Sequence, residues 1–349
     1  MQDFFGIDIG HHKIRISQVS WKQDKPKLIA CGEFPMPPGT FASEDKASQS
    51  LLVEAIKSCM QEAGVTTTNV VGAFPELSVT SRLEVGFPKL DGLELNEAII
   101  YEARKYISYP IDQMQLDKII VGERMVQGSP AIDVFWVATS KNNVAKYLAL
   151  FERANLNILA IETESIANAR LLNRYRMEKE SDYNKDESVV IVDIGADSTT
   201  VEVVKNELVL FSQSLGNGSD AMTRIIEMSF NIDSVTAENY KKTYGLNTEF
   251  AEGKLSEVLT PLAQMLLESV SKTISFFLTK LPEISPKKVY LTGDGAQLPG
   301  LPEYSSKILN LPVILVDALA AVPSSGNISN LNYERSPGFN ISIGLALKL

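Results

Sequence analysis

Cysteine is scarce in this sequence, with only two residues among 349. Cys31 and Cys59 are too few for a disulfide framework or a cysteine-rich metal site, so we expect two reduced thiols in a cytosolic protein. Positive charge is also in the minority, because 33 Lys and Arg stand against 43 Asp and Glu and give a formal net charge of −10. That balance argues against non-specific nucleic-acid binding, which depends on a basic surface.

Long apolar runs are missing as well. No stretch reaches the roughly 20 apolar residues that a membrane-spanning helix needs, and Asp8 interrupts the first apolar stretch, which argues against a signal peptide. The sequence closes on NISIGLALKL without an amphipathic tail. We therefore expect no direct membrane insertion, and work at a membrane would require a partner that holds the protein there.

The length of 349 residues exceeds what one hydrophobic core usually supports, so we expect two compact lobes. Short apolar or alternating runs predict strands, and amphipathic patterns between them predict helices. Residues 174–188 are the most charged and least patterned stretch, and they are the predicted linker between the lobes. Further strands are predicted to follow KVYLTGDGAQLPGL and to close the chain.

Two short segments match without a gap: IDIGHHKIRISQV, which contains Asp8, and VDIGADSTTVEVV, which contains Asp193. In each, an apolar strand ends at Asp-Ile-Gly and a second strand pattern follows. A glycine turn of this kind presents backbone N–H groups that suit phosphate, and the neighbouring carboxylate is compatible with phosphate if a Mg²⁺ ion lies between them. One such turn is also a common hairpin device, but two turns in two lobes could clamp one polyphosphate.

Polar side chains near the turns extend this interpretation. Ser198 and Thr199 have hydroxyl groups that can donate to phosphate oxygens, and Arg15 supplies a cation in the first copy. A third turn, LTGDGAQLPG, places Gly293 and Gly295 at a strand end, where the missing Cβ atoms would let a base or ribose approach the backbone. Alone, this third turn would be an ordinary strand-to-helix connection.

These turns, in this order, resemble those of the actin/Hsp70/sugar-kinase ATPase superfamily. Within it the chain most resembles the PilM family of type IV pilus assembly proteins, which are relatives of the cell-division protein FtsA. The resemblance covers essentially the whole chain, and its distinctive segments are ELNEAIIYEARKYISYPID, VFWVATSKNNVAKYLALFERANL, AENYKKTYGL and ISIGLALKL. It implies an α/β, two-lobed actin-like (ribonuclease H-like) ATPase fold with an FtsA/PilM-type inserted subdomain.

The resemblance also implies a division of the chain and a nucleotide site that binds ATP and Mg²⁺. The implied parts are a first lobe core (1–77 and 150–180), an inserted subdomain (78–149), a second lobe core (187–216 and 287–349) and an outer helical subdomain (217–286). The implied site residues are Asp8 and Asp193 for Mg²⁺, through water; Gly10, His11, His12 and Arg15 in the first phosphate loop; Gly195, Ser198 and Thr199 in the second; Glu238 and Lys241 at the ribose and adenine; and Gly293, Asp294 and Gly295 in the adenosine loop.

Two of these assignments, and a further one at Glu164, have an alternative that the residues leave open. Glu238 and Lys241 could form only an exposed i,i+3 ion pair, worth a few tenths of a kcal/mol. Glu164 matches the residue that positions the attacking water in actin-type ATPases, but it could simply be favoured at a helix N-terminus. His11 stands where actin has a phosphate-contacting serine, and with His12 it could contact phosphate or face solvent. The histidines put hydrolysis in question more than binding.

The function implied by the resemblance is an ATP-binding scaffold of the type IV pilus inner-membrane platform, with little or no ATPase activity. Its implied partners are other platform proteins and the cytoplasmic N-terminal peptide of a PilN-like membrane protein, docked between the first lobe and the insertion; a homo-oligomer is left open. The alternatives are a small-molecule (sugar or acyl) kinase, an FtsA-like division protein and the cytoplasmic domain of a type II secretion platform protein. A kinase needs a catalytic base, and the aspartates of the insertion resemble loop or surface residues: Asp91, Asp112, Asp117 and Asp133.

Overall fold

A computed structural model describes residues 3–23, 25–40, 43, 45–324, 328 and 333–348 of the chain. Its strands form three sheets, of five, five and three strands. The strands are β1 (Phe5–Ile9), β2 (Lys13–Lys22), β3 (Lys25–Pro35), β4 (Asn69–Phe74), β5 (Thr80–Pro88), β6 (Met114–Val126), β7 (Ser129–Ser140), β8 (Asn157–Thr163), β9 (Val189–Ile194), β10 (Thr199–Lys205), β11 (Leu208–Leu215), β12 (Val289–Thr292) and β13 (Val313–Leu315). The α-helices are α1 (Lys46–Ala63), α2 (Gly92–Ala103), α3 (Lys141–Arg153), α4 (Glu164–Lys179), α5 (Asp220–Phe230), α6 (Ser234–Tyr244), α7 (Lys254–Lys280), α8 (Leu301–Leu309) and α9 (Asn340–Ala346). Among the described residues, no helix combines the length and apolar content that crossing a bilayer requires.

The first and second sheets repeat one topology. Their strand orders are β3-β2-β1-β4-β8 and β11-β10-β9-β12-β13. In the first sheet, β1 pairs antiparallel with β2 and β2 with β3, whereas β1–β4 and β4–β8 are parallel. The second sheet repeats these directions strand for strand. Each sheet with its helices is one lobe, called here the first and the second lobe, and the predicted two-lobed α/β arrangement is present.

Helix α1 illustrates how local sequence builds the first lobe. The Asp45 carboxylate accepts hydrogen bonds from two N–H groups of the first turn, both at 3.0 Å, which satisfies donors that have no helical partner. Gly64 ends the helix with a φ of 72°, a conformation that glycine adopts without strain. Between these ends, Ile56 and Cys59 are fully buried in the core below β1 and β2. The helix therefore covers one face of the first sheet.

The third sheet, with strand order β5-β7-β6, lies inside the segment predicted as an insertion. Helix α2 covers one of its faces, where Val134 and Trp136 are buried. Phe135 belongs to the other face and to a buried cluster that includes Val189 and Val204 of the second lobe. Both faces of β7 are thus covered, which accounts for the apolar run VFWVA at residues 134–138.

The predicted linker over residues 174–188 is wrong in its first part. Helix α4 continues to Lys179, and Arg176 is only 3% exposed. The Arg176 guanidinium donates to Glu180 at 3.2 Å and to Glu187 at 2.6 Å. These charges belong to a buried ion-pair network, and the prediction failed because charge density alone does not distinguish paired residues from solvated ones.

The predicted closing strands are only partly right. Strand β13 is present, but residues 340–346 form α9, which packs against β1, β2 and α4 of the first lobe. The hydroxyl groups of Ser342 and Ser17 share a hydrogen bond of 2.8 Å. A Cβ atom on Gly344 would lie 2.7 Å from the carbonyl carbon of Ala167. Helices α9 and α4 therefore meet backbone to backbone, and Leu349 lies outside the described residues.

Candidate functional site

The two matched segments adopt the same turn. The Gly10 N–H donates to the Lys13 carbonyl at 2.9 Å, and the Gly195 N–H donates to the Ser198 carbonyl at 2.9 Å. A Cβ atom on Gly10 would lie 3.1 Å from that Lys13 oxygen, and on Gly195 it would lie 3.2 Å from the Ser198 oxygen. Both turns are tight enough to favour glycine, and we call them the first turn (10–13) and the second turn (195–198).

An aspartate precedes each turn, and Asp8 is buried whereas Asp193 is half-buried. Asp8 is 8% exposed, and Asp193 accepts hydrogen bonds from the amides of Asn168, at 3.0 Å, and Asn340, at 2.9 Å. Burial raises the pKa of Asp8 to about 7, with Arg15 opposing the rise and Asp193 adding to it. Burial likewise raises the pKa of Asp193. The structure thus brings Asp8 and Asp193 into one electrostatic cluster, and two oxygen donors of this kind fit a Mg²⁺ ion, which would relieve their repulsion.

Arg15 does not stand open toward a phosphate. Its guanidinium is 8% exposed and donates to Asp294 of the second lobe at 2.5 Å and to Glu33 of β3 at 3.2 Å. Burial lowers the pKa of Arg15, but Asp294 and Glu33 outweigh that effect and raise it. The arginine therefore ties the two lobes together between Glu33 and Asp294, and any phosphate would have to share it with both carboxylates.

The histidines of the first turn are both exposed, as the solvent-facing alternative predicts, but His12 also has a partner. Its Nε2 atom lies 2.8 Å from the Asp220 carboxylate, at the start of α5 in the second lobe. The hydrogen bond to Asp220 raises the pKa of His12 above its ordinary value. His12 and Arg15 thus both contact the second lobe from the first lobe.

Of the two hydroxyl groups expected to reach phosphate, that of Thr199, just after the second turn, is engaged within the protein. Thr199 is fully buried, and its Oγ1 donates to the Asn217 carbonyl at 2.7 Å. Ser198 is half-buried and lies in the turn itself. The backbone amides of the second turn, together with Ser198, are consequently the groups best placed to meet an anion there.

Glu238 and Lys241 form the expected i,i+3 pair on α6, at 2.6 Å, but the pair is not an exposed one. Lys241 is 5% exposed and also donates to Thr223 at 2.8 Å and to the Ser219 carbonyl at 3.2 Å. Burial would raise the pKa of Glu238, but the hydrogen bond from Lys241 outweighs that effect and lowers the pKa to about 2. Glu238 and Lys241 therefore form a charged pair that is held in place beside the start of α5.

The two glycines of the third turn are required by the packing of the protein's own backbone. Gly293 has φ 81° and ψ 164°, a combination that is essentially restricted to glycine. A Cβ atom there would lie 2.5 Å from the Ile194 carbonyl oxygen, and one on Gly295 would lie 2.5 Å from the Ile194 Cγ2 atom. These glycines let the turn pack on the end of β9, which places Asp294 against Arg15.

Glu164 combines features of both alternatives. It is the first residue of α4, and its carboxylate accepts the Glu76 backbone N–H at 2.9 Å. Burial raises its pKa well above the ordinary value, and the nearby Asp8 adds to the rise. Glu164 is thus a helix-terminal acid that lies in the same electrostatic cluster as the two aspartates.

Several polar residues of the site were missed in the sequence. Asn168 bridges Asp193 and Glu202, with both amide hydrogen bonds at 3.0 Å, and Asn340 reaches Asp193 from α9. Asn168 lies four residues after Glu164, on the same face of α4, and this spacing was an available signal. Nothing local marks Asn340, because its role depends on the return of α9 to the first lobe.

The four aspartates of the insertion that were considered as a kinase base differ in their exposure. Asp91, Asp112 and Asp117 are exposed, as expected. Asp133 is not a surface residue: it is 8% exposed, accepts from Arg124 at 2.5 Å and from the Gly86 N–H at 2.8 Å. Asp133 is thus engaged by Arg124 and Gly86 inside the third sheet.

A groove of about 460 Å³ borders the third sheet. One wall is formed by residues 76–85, where the chain passes from β4 into β5, and the other by β11 and the end of α7. Strands β5 and β11 are terminal in the strand orders of their sheets. Apolar side chains line it on both sides: Leu77, Leu83, Phe211, Phe276 and Phe277.

Comparison with known proteins agrees with this architecture. A family model described as type IV pilus assembly protein PilM matches residues 6–349. A chain in the solved PilM-PilN type IV pilus biogenesis complex is 28% identical, with a TM-score of 0.84 over 99% of this chain and 98% of that chain. The cell division protein FtsA of Neisseria meningitidis serogroup B is 23% identical over 97% of this chain and 88% of FtsA. The ethanolamine utilization protein EutJ from Carboxydothermus hydrogenoformans, 15% identical, covers 99% of this chain and 90% of its own with a TM-score of 0.57. These likenesses confirm the predicted actin-like fold.

Proposed function

Because the chain belongs to the family of type IV pilus assembly protein PilM, we propose that it is an actin-like scaffold of the pilus inner-membrane platform. It works on the cytoplasmic side of that membrane and is held there through a partner. The whole-chain match to a protein solved in complex with PilN supports this function over a kinase or a division protein.

The partner in this proposal is the cytoplasmic N-terminal peptide of a PilN-like membrane protein. An extended peptide binds well where a sheet ends, since the unpaired edge offers backbone donors and acceptors. The groove between β5 and β11 has two such edges and an apolar lining. This groove adjoins the third sheet, and its opposite wall belongs to the second lobe, whereas the resemblance implied a groove between the first lobe and the insertion.

Peptide titration tests this assignment. A fluorescent peptide covering the N-terminus of the PilN-like protein should bind the full chain, and Phe276→Ala should weaken binding by about tenfold, since a buried aromatic anchor is worth more than about 1 kcal/mol. Phe276 is 50% exposed, so its truncation should leave the fold intact. Met265→Ala is the matched control, because Met265 lies on the same helix, is 66% exposed and does not line the groove. Equal affinity of both variants for the peptide would show that the peptide does not bind in this groove.

The proposed ligand of the two glycine turns is ATP with Mg²⁺. The observation that carries it is the pair of glycine turns with the same backbone hydrogen bond, each preceded by an aspartate, on corresponding strands of the two lobes. Asp8 and Asp193 would hold the hydrated ion, and the turn amides would hold the phosphates. The bound ion would neutralise phosphate charge. With Arg15 and Thr199 engaged inside the protein, the nucleotide acts mainly as a conformational ligand.

Calorimetric titration with ATP, with and without Mg²⁺, tests the nucleotide proposal. Asp193→Asn keeps an acceptor for Asn168 and Asn340 but removes the charge, and it should abolish the Mg²⁺-dependent part of binding. Asp186→Asn is the matched control, since Asp186 is exposed and lies outside both turns. Phosphate release should stay slow in every variant. Absence of ATP binding in the unmodified chain would show that the turns are inherited architecture, and rapid turnover on adding a small metabolite would favour a kinase.

A further inference from the structure

Histidine occurs at only two positions of the chain, and these are adjacent, at His11 and His12 of the first turn. Their rings are 5.0 Å apart and nearly perpendicular, at 78°. The second turn has Ala196 and Asp197 at the matching positions. The histidine pair is therefore a feature of one turn, although the backbone hydrogen bond of both turns is the same.

Asp220 connects the two turns. Its backbone N–H donates to the Ala196 carbonyl of the second turn at 2.9 Å, and its carboxylate lies 2.8 Å from His12 Nε2 of the first. The preceding Ser219 also donates its N–H to the Gly195 carbonyl at 2.9 Å. The start of α5 is thus fixed to the second turn by two backbone hydrogen bonds, while the Asp220 side chain crosses to the first lobe.

From this geometry we infer a binding site for a Zn²⁺-class transition-metal ion, formed by His11, His12 and Asp220 between the two lobes. One ligand atom of each residue lies within 4.8 Å of the other two. Two imidazoles and a carboxylate form a ligand set for zinc and its neighbours, whereas Mg²⁺ prefers oxygen donors alone. The site is thus chemically distinct from the Asp8–Asp193 cluster.

The distances are compatible with closure around an ion. Zinc bonds of about 2.0–2.1 Å in a tetrahedron require ligand atoms about 3.3 Å apart, so the side chains must approach by at most about 1.5 Å. His12 has 59% of its side chain exposed, so its ring can rotate without disturbing the core. Three protein ligands leave one tetrahedral position for water.

An ion at this site would join the first turn to α5, and with it the two lobes. Because binding to the folded chain alone stabilises that chain by mass action, the ion should raise the unfolding temperature as well as bind. The inference does not depend on nucleotide, because all three ligands belong to the protein and the test is made without ATP.

The test is a calorimetric titration of the nucleotide-free, chelator-treated full chain with ZnCl₂ alone. We expect one Zn²⁺ per chain, no displacement by excess Mg²⁺, and a higher unfolding temperature with Zn²⁺. Asp220→Asn and His11→Ala should each weaken Zn²⁺ binding by more than about tenfold, since even residues that only support metal ligands cost 10–100-fold.

The matched control is Glu227→Gln, the same carboxyl-to-amide change seven residues along α5 and about 10 Å away. It should bind Zn²⁺ as the unmodified chain does. His11 is exposed, so His11→Ala tests the site even if Asp220→Asn fails to fold. Absence of stoichiometric Zn²⁺ binding, or unchanged affinity in His11→Ala, would overturn the inference. Competition by Mg²⁺ at equal affinity would overturn it as well.

Discussion

Replacing Arg15 by methionine should loosen the connection between the lobes. The substitution keeps the apolar stem but removes the guanidinium that donates to Asp294 at 2.5 Å and to Glu33 at 3.2 Å. Both carboxylates would then lack their shared cation in a site that already contains Asp8 and Asp193. Arg15 is 8% exposed, so solvent cannot replace it without rearrangement.

The size of the effect follows from burial. Removing one member of a buried ion pair costs about 3–5 kcal/mol. Asp294 is 37% exposed and Glu33 keeps Lys13 at 3.0 Å, so we expect the low end, about 3 kcal/mol. Asp294→Asn retains an acceptor for Arg15 and should cost about 1 kcal/mol. The two substitutions should be non-additive by up to about 1 kcal/mol, because both weaken the same contact.

Urea unfolding of the two single variants and the double variant measures these values. The fluorescence of Trp21 and Trp136 reports on the first sheet and the third sheet. Lys57→Met is the control, because Lys57 and Glu54 form a surface pair that is 43% and 71% exposed and worth less than about 0.5 kcal/mol. An Arg15→Met variant that unfolds like this control, or a coupling near zero, would refute the role of the pair in joining the lobes.

Two further predictions concern pH and backbone strain. Burial raises the pKa of Glu202 above its value in the unfolded chain, so its contribution to stability is fully present below the unfolded pKa and is lost as pH rises through the folded pKa. Glu202→Gln should therefore raise the unfolding temperature at about pH 8 but not at about pH 5, and an equal gain at both would contradict the assignment. Gly293→Ala should lower the free energy of unfolding by more than about 3 kcal/mol, because backbone strain and a clash with β9 combine. Gly128→Ala, at φ 82° with open space around it, should lower it by only about 1–2 kcal/mol. Thermal unfolding of both variants measures the difference, and equal losses of stability would show that the clash at Gly293 is relieved.

The glycine turns could be predicted from sequence because their determinants are local. An apolar strand, a glycine with no room for a Cβ atom and a second strand lie within about a dozen residues, and the repeat at Asp193 doubled the signal. The helices α1 and α5 to α7 were predictable for the same reason, since each one shows its apolar spacing within its own residues.

The partners of the site residues were not predictable in the same way. Arg15 and Asp294 are 279 residues apart, and His12 and Asp220 are 208 apart. Only the packing of the two lobes decides that these side chains meet, and no local pattern encodes it. The charges at residues 174–179 misled for the related reason that Arg176 finds its partners only when α4 packs.

Helix α9 has a consequence for the order in which the chain can fold during synthesis. The second sheet uses strands from one continuous stretch, residues 189–315, and can assemble as soon as that stretch has left the ribosome. The first sheet is completed only after residues 340–346 have been made, because α9 packs on β1 and β2 and Ser342 shares a hydrogen bond with Ser17. The 325 residues between Ser17 and Ser342 take roughly 15–65 s to synthesise at 5–20 residues per second. The part of the protein that is made first is therefore completed last, and its apolar face stays open to chaperones in the interval.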